Sequence, residues 1–201
     1  YSTKEIEKDK IKINHKVKIF NDPIDDSLLG NLSAFSKCAL EVGKILKKEK
    51  PDLAIVTVDR VETLAIASAC ALMNIPIAHF QGGEISGTID ESIRHSVSKL
   101  SHFHFVSTSK SKQRLIQMGE NKNNIFNVGC PYIETLEKIK KGNSQKTLEK
   151  YFKKKRANFV IFIMHSVTTN LNEAKILFDE VVHSLEVIKE KYEILYFIPN
   201  S

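Results

Sequence analysis

The chain has 201 residues, an apolar fraction of 42% and a formal net charge of +6, which suit one full domain or one domain and part of another. No apolar run is long enough to cross a membrane and the first residues lack a signal-peptide layout, so we expect no membrane partner. The three cysteines, Cys38, Cys70 and Cys130, lack metal-ligand spacing and are expected to be reduced thiols, which predicts a cytoplasmic protein.

Basic residues gather at 44–50, 138–141 and 153–156. Basic runs bind nucleic acid when aromatic residues are interleaved, but these runs lack them and fall at predicted helix ends and a linker. They are therefore typical of a solvated surface, and we expect no nucleic acid partner. The positive excess still favours an anionic small molecule.

Apolar periodicity alternates between helix and strand along the chain. Predicted helices cover residues 3–8, 25–50, 63–73, 89–100, 109–119, 129–141, 148–155 and 172–190. Predicted strands cover residues 17–20, 53–58, 75–80, 102–107, 125–128, 158–164 and 193–198. The strand at 53–58 is a continuous apolar run, which is typical of a strand buried on both faces of a parallel sheet. This order predicts the α/β class with an open, doubly wound parallel sheet.

The predicted elements fall into two units. Residues 1–141 form the first, residues 142–157 form a linker with a helix, and residues 158–201 begin a second unit of the same kind. The chain starts at Tyr1 and ends directly after an apolar strand, so we expect it to be an internal piece of a longer protein.

Residues 79–95 concentrate polar groups where a predicted strand ends and a helix begins. Thr88 followed by Glu91 is a capping box, which predicts that the helix starts at Ile89. Asp90 and Arg94 are four residues apart and are expected to pair with each other. Apolar residues at helical spacing predict the buried face of this helix: Ile89, Ile93, Val97 and Leu100.

Polar clusters follow the predicted strands, and ligands of doubly wound sheets bind beyond the carboxyl ends of the strands. The clusters are Asp59 and Arg60, residues 81–84, 107–108 and 129–130, and residues 165–170 of the second unit. The two units are expected to face each other across a cleft that takes a nucleotide-linked substrate. Histidines 79, 102 and 104 are expected to be strand residues with satisfied hydrogen bonds, and no histidine spacing suits a metal, so we expect neither metal nor cofactor.

The segment at residues 79–95, HFQGGEISGTIDESIRH, resembles the matching segment of hydrolysing UDP-N-acetylglucosamine 2-epimerases of the sialic acid pathway. Six shorter segments resemble that family in order and spacing: VDR at 58–60, ALMNI at 71–75, KLSH at 99–102, QMGE at 117–120, NVGCP at 127–131 and MHSVTTN at 164–170. The resemblance implies two Rossmann-like domains of the glycosyltransferase-B type, the second only partly present, in a homodimer or homotetramer.

The resemblance also implies a reaction in two steps. UDP is eliminated across C1 and C2 to give 2-acetamidoglucal, and water then adds to give N-acetylmannosamine. By matching position, the implied catalytic residues are Asp59, Asp90 and His165. The implied substrate-binding residues are Arg60, Gln81, Gly82, Gly83, Glu84, Arg94, His95, Ser166, Thr169 and Asn170. Because family segments before residue 1 and late in the second domain have no match here, we expect the isolated chain to be inactive.

Two residues depart from the family pattern. Gln81 stands where many relatives carry Glu, so either Gln81 only hydrogen-bonds the sugar, with Glu84 or Asp90 carrying the proton, or the substrate differs. Val58 stands where relatives often have Gly, and this change is expected to affect packing only.

Several alternatives stay open. A sibling enzyme would hydrolyse and epimerise UDP- or GDP-linked N,N'-diacetylbacillosamine, and the non-hydrolysing 2-epimerases are a more distant sibling. A glycosyltransferase would share the fold but need an acceptor. A non-catalytic nucleotide-sugar-binding module is the fourth possibility, favoured by Gln81 and opposed by Asp59, Asp90 and His165. We predict an enzyme.

Overall fold

The computed structural model describes residues 2–20, 27–138, 144–152, 158–164 and 171–197. The chain divides into two compact units, Tyr1–Ile133 and Glu134–Ser201. Within the described residues, no helix has both the length and the apolar character needed to cross a membrane.

The first unit is built from alternating helices and strands. Its helices are α1 (Ser2–Lys8), α2 (Leu28–Glu49), α3 (Val61–Leu72), α4 (Ile89–Leu100) and α5 (Ser109–Gln117), with a 3-10 turn at Lys122–Asn124. Its strands are β1 (Ala54–Thr57), β2 (Ile77–Phe80), β3 (Phe103–Val106) and β4 (Ile125–Asn127). The strands form one parallel sheet in the order β1-β2-β3-β4. Helix α6 (Pro131–Lys138) crosses the division between the units.

The second unit repeats the same alternation. It contains α7 (Ser144–Tyr151), β5 (Phe159–Ile163), α8 (Leu171–Ile188) and β6 (Glu193–Phe197), and β5 pairs with β6 in parallel. Parallel neighbours need a crossover connection, and helices supply each one. The predicted α/β class is therefore confirmed. Helix α7 begins four residues before the predicted helix at 148. Residues 142–143 and 153–157 of the predicted linker lie outside the described residues.

Alanine-rich α3 packs in the middle of the first unit. Its small side chains let it contact α2, α4, β1 and β2 at close range. The core beneath it contains Val56, Ile77, Ile93 and Val97, all less than 9% exposed. Helix α4 packs on the sheet through the face that carries Ile93 and Val97. This packing fixes the direction of the polar residues between them in the sequence.

The sequence predictions were wrong at two strands. Residues 17–20 pair with none of the described strands, and a strand is stable only when its backbone groups are paired. Strand β1 is buried on one face rather than two, because Val56 is 4% exposed whereas its neighbour Ile55 is 68% exposed. Among the described strands, β1 is the first of the sheet, and α3 covers only one of its faces. The continuous apolar run therefore did not indicate burial on both faces.

The other face of the sheet carries a row of aromatic rings. Phe80, Phe105 and Phe126 occupy successive strands in register, and their ring centroids are 4.6 Å and 5.3 Å apart. Stacked aromatic pairs across neighbouring strands stabilise one register over its alternatives. The row therefore helps to align the carboxyl ends of β2, β3 and β4.

Candidate functional site

The carboxyl ends of β1 and β2 and the first turns of α4 bring together much of the predicted site. Asp59 follows β1, and Gln81, Gly82, Gly83 and Glu84 follow β2. Asp90, Arg94 and His95 come from α4. All of them lie in the first unit.

Arg94 ties this group of residues together. Its side chain is 9% exposed, and it donates one hydrogen bond to the carbonyl oxygen of Glu84 at 2.8 Å and another to the carboxylate of Asp59. The predicted pair between Arg94 and Asp90 is wrong. Asp90 is exposed and accepts a hydrogen bond from the Thr88 hydroxyl at 3.4 Å. Because Arg94 lies on the buried side of α4, the half-buried carboxylate of Asp59 is its nearer partner.

Val58 holds the turn that presents Asp59. Its φ angle is 64°, in the left-handed region that glycine enters freely and a β-branched residue enters only under strain. The expectation that Val in place of Gly changes packing only is therefore wrong, since the substitution changes the backbone energy of this turn. Gln81, the other departure from the family pattern, also has a left-handed backbone, with φ of 62°.

Gln81 reaches across the sheet. Its backbone N–H donates to the carbonyl of Phe105 at 2.8 Å, and its side-chain Nε2 lies 3.7 Å from the Sγ of Cys130, in the loop after β4. This contact points the amide nitrogen at the thiol, and the side-chain oxygen has no hydrogen-bond partner among the described residues. The sequence did not indicate a contact between these two residues.

Gly82 and Gly83 are both buried, and each has a packing reason to be glycine. A Cβ on Gly82 would lie 2.8 Å from the Ser98 hydroxyl and 2.9 Å from Nδ1 of His79. A Cβ on Gly83, whose φ is 76°, would lie 2.6 Å from the carbonyl oxygen of Ser111 on α5. The close approach of backbone to neighbouring elements thus accounts for both residues. Their part in binding a substrate stays a prediction.

Helix α4 starts at Ile89 with Thr88 as its N-cap, as predicted, but the capping bonds differ. The Glu91 carboxylate accepts the backbone N–H groups of Ser86 and Gly87, each at 2.7 Å, and Thr88 makes no side-chain cap bond. The bond from Gly87, and then that from Ser86, holds the pKa of Glu91 below its ordinary value. Glu91 therefore orders the loop ahead of α4, a role that the capping box indicated only in part.

His79 and His104 lie side by side on the packed face of β2 and β3. Nε2 of His104 is 3.2 Å from the Glu120 carboxylate, and Nδ1 of His79 is 3.2 Å from the Ser98 hydroxyl. Burial lowers the pKa of His79 to about 4 and also lowers that of His104. The expectation of fully satisfied strand histidines is half right, because Nε2 of His79 and Nδ1 of His104 have no hydrogen-bond partner among the described residues.

Arg60 and His95 each lie beside a glutamate, and four further predicted site residues lie outside the described residues. Arg60 is exposed, with its guanidinium 3.4 Å from the Glu62 carboxylate. His95 is half-buried, its Nε2 lies 3.9 Å from Glu91, and burial lowers its pKa. His165, Ser166, Thr169 and Asn170 lie outside the described residues. In the part of the chain that the structure describes, no group of three His, Cys, Asp or Glu side chains suits a metal ion.

A protein-family model for UDP-N-acetylglucosamine 2-epimerase matches residues 2–201. The chain belongs to the UDP-N-acetylglucosamine 2-epimerase family. The resemblance seen in residues 79–95 is therefore confirmed at the level of the family.

Relatives of the 2-epimerase family span different sugars. The chain is 38% identical over 158 residues to UDP-N,N'-diacetylbacillosamine 2-epimerase (hydrolyzing) of Legionella pneumophila, covering 79% of this chain and 41% of that protein. It is 36% identical over 143 residues to UDP-N-acetylglucosamine 2-epimerase of Neisseria meningitidis serogroup B, covering 71% of this chain and 36% of that protein. The chain thus spans less than half the length of these two curated relatives.

The crystal structure of UDP-GlcNAc 2-epimerase from Neisseria meningitidis, bound to UDP-GlcNAc, has the same fold. The TM-score is 0.79 at 20% identity, over 97% of this chain and 54% of that chain. This likeness confirms the predicted glycosyltransferase-B type of fold, of which the chain covers about half.

Proposed function

We propose that the full-length protein is a hydrolysing 2-epimerase of a UDP-linked 2-acetamido sugar. The observation that carries this proposal is the meeting of Asp59, Arg94 and Glu84 at the carboxyl ends of β1 and β2, in a chain of the 2-epimerase family. That edge of a parallel sheet is where ligands of such folds bind.

The reaction requires a base for the proton on C2 of the sugar and an acid that returns a proton there. In the proposed site, Asp59 is held in one orientation by the guanidinium of Arg94. Asp90 is exposed in the first turn of α4, where its carboxylate is accessible to a substrate. We assign the acid and base roles to these two carboxylates and the diphosphate or sugar contact to His165, outside the described residues.

Arg94 has a positioning role in this proposal rather than a direct one. Its hydrogen bonds go to Asp59 and to the Glu84 backbone, and its side chain is 9% exposed, so little of it faces a ligand. Exposed Arg60 and half-buried His95 are the better placed cationic or polar groups for an anionic substrate. The Gln81 side-chain oxygen accepts a hydrogen bond from the sugar but exchanges no proton with it.

Two sugars are candidates for the substrate. N-acetylglucosamine is the first candidate, and the matched relatives include one named for it. N,N'-diacetylbacillosamine is the second, favoured by the 38% identity to the Legionella pneumophila protein of that name. The protein is proposed to act in the cytoplasm. It is also proposed to be a homodimer or homotetramer, and light scattering of the purified protein tests this oligomeric state.

The deciding experiment incubates the full-length protein with each UDP-sugar in deuterated water. The proposal expects UDP release from one of them and a free 2-epimeric sugar deuterated at C2. UDP release with a sugar that is not epimerised, or epimerisation with the UDP bond intact, would overturn the hydrolysing assignment. Asp59→Asn and Asp90→Asn are each expected to lower kcat by at least about 100-fold. The exposed Asp52→Asn, next to Pro51 at the other end of β1, is the matched control.

A further inference from the structure

A chain of buried contacts joins His79 to the Asp59–Arg94 pair. Nδ1 of His79 lies 3.2 Å from the hydroxyl of Ser98, and that hydroxyl donates to the carbonyl oxygen of Arg94 at 3.0 Å. The side chain of the same Arg94 donates to Asp59. His79 and Ser98 are both 0% exposed. The imidazole is therefore connected through one serine to the residue that orients the candidate carboxylate.

The ring of His79 has polar groups on two sides. Nδ1 lies against the Ser98 hydroxyl, which also donates to the Arg94 carbonyl. Nε2 has no partner of ordinary hydrogen-bond geometry among the described residues, but the Val58 backbone is near enough to raise the pKa of the ring, as a hydrogen-bond acceptor does. Among the described residues, the contact with Ser98 is therefore the side-chain contact that holds the imidazole in place.

The surroundings keep this ring neutral. Burial is the largest cause of the lowered pKa of about 4, and the charges of His104 and Arg94 lower the pKa further. The Val58 backbone and the Asp59 carboxylate act in the opposite direction and do not overcome burial.

The backbone of Gly82 packs against the contact between His79 and Ser98. A Cβ at Gly82 would lie 2.9 Å from Nδ1 of His79 and 2.8 Å from Oγ of Ser98, so the loop after β2 lies against the bond between them. Two residues later the carbonyl of Glu84 accepts from Arg94. The imidazole thus supports the loop on one side and the Arg94 turn of α4 on the other.

We propose that His79 is a positioning residue of the site: the contact of its Nδ1 with the Ser98 hydroxyl holds the Arg94 turn and the Gly82 loop together, and so keeps the Asp59 carboxylate in its working orientation. The catalytic part of this inference rests on the proposed function. The structural part, which concerns the contact between Nδ1 and Ser98, does not.

The first test measures the contact with Ser98. In the full-length protein labelled with ¹⁵N-histidine at pH 7, the ring nitrogen shifts of His79 are assigned by their loss in His79→Asn. The Nδ1 shift should change in Ser98→Ala and stay the same in the control variant. Ser101→Ala is the matched control, since Ser101 is buried at the end of the same helix and donates to the Val97 carbonyl at 2.7 Å. An unchanged Nδ1 shift in Ser98→Ala would overturn the proposal.

The second test measures kcat and KM. His79→Phe fills the space without the ring nitrogens and should lower kcat by about 10- to 100-fold with little change in KM, because a small displacement of a reacting group has that effect. His79→Asn places a polar amide group near the Nδ1 position and should restore most of kcat. Equal kcat in His79→Phe and the unchanged protein would overturn the positioning role.

A matched variant separates positioning from lost stability. His104→Phe removes an equally buried imidazole from the adjacent strand, and the Glu120 carboxylate that it contacts accepts from Lys99 rather than from Arg94. It should destabilise the fold to a similar degree while kcat stays within about 3-fold of the unchanged protein. An equal fall of kcat in both Phe variants would assign the loss to stability and overturn the proposal. If the unchanged protein shows no 2-epimerase activity, the proposed function fails, and the Nδ1 shift in Ser98→Ala still decides the structural part.

Discussion

Arg94 and Asp59 are 35 residues apart in the chain and form a part-buried ion pair, with 9% of the arginine side chain and 25% of the aspartate side chain exposed. The pair joins the end of β1 to the second turn of α4, and the bond from Arg94 to the Glu84 carbonyl adds the loop after β2. Three segments of the site thus share one cation, which makes their relative positions depend on it.

Arg94→Met should lower the free energy of unfolding by about 3 kcal/mol, because it leaves the Asp59 carboxylate and the Glu84 carbonyl without their buried partner. Urea unfolding measures this. Arg60→Met is the control, since Arg60 is 69% exposed beside Glu62 and should cost less than about 1 kcal/mol. Similar losses in the two variants would contradict the importance of the buried pair.

Val58→Asn should raise the free energy of unfolding by about 1 kcal/mol. Val58 has a φ of 64°, and asparagine adopts that region at a lower cost than a β-branched residue. Thr57→Asn, one residue earlier in the extended strand β1, should instead destabilise the protein slightly. Thermal unfolding of the two variants at one pH distinguishes them, and a loss of stability in Val58→Asn would show that the strain is offset by other contacts of Val58.

Gly83→Ala should destabilise the protein by about 3 kcal/mol, because its Cβ would lie 2.6 Å from the Ser111 carbonyl and its φ is 76°. Gly87→Ala separates the two causes, since Gly87 has a φ of 71° with no atom within 4 Å of a Cβ. That variant should cost about 1 kcal/mol. Equal losses in the two variants, measured by urea unfolding, would assign the whole effect to the backbone angle.

Acid should destabilise the first unit through His79. Its folded pKa of about 4 lies below the ordinary value of 6.5, so the unfolded chain binds this proton first as the pH falls. Stability from this group is fully present above pH 6.5 and falls by about 3 kcal/mol on the way to pH 4. Unfolding free energies measured between pH 7 and 4 should therefore fall less steeply in His79→Phe.

The control for the pH series is Ser101→Ala, which changes a buried residue with no titratable group at the end of α4. It should leave the slope of stability against pH unchanged even if the midpoint moves. His95 and His104 also have lowered pKa values and add to the slope of every variant alike. The same slope in His79→Phe and the unchanged protein would contradict the buried, neutral state of His79.

Local patterns predicted the elements well and the contacts poorly. Helix α4 was predicted to start at Ile89 and to end near Leu100, because an N-cap and apolar spacing are properties of neighbouring residues. The partner of Arg94 was not predictable in this way. Spacing favoured Asp90, four residues away, whereas the packing of α4 against the sheet directs Arg94 to Asp59.

Backbone conformation was the second thing that sequence patterns missed. A β-branched residue argues against a left-handed φ, so Val58 gave no sign of the turn before Asp59. The glycine pair gave a sign that was open to two interpretations. Glycine suits a loop that approaches a ligand and equally a loop pressed on its own helices, and only the distances from Gly82 and Gly83 to His79 and Ser111 reveal the second.

The strand order β1-β2-β3-β4 has a consequence for how the protein is made. Each strand lies beside the one synthesised before it, so the sheet can grow in the direction of translation without waiting for a distant partner. The residues that join His79, Ser98, Arg94 and Asp59 have all been synthesised before α5 is made. Ser111 on α5 then closes over Gly83, so the loop of the site should be the last part of it to become rigid on a nascent chain.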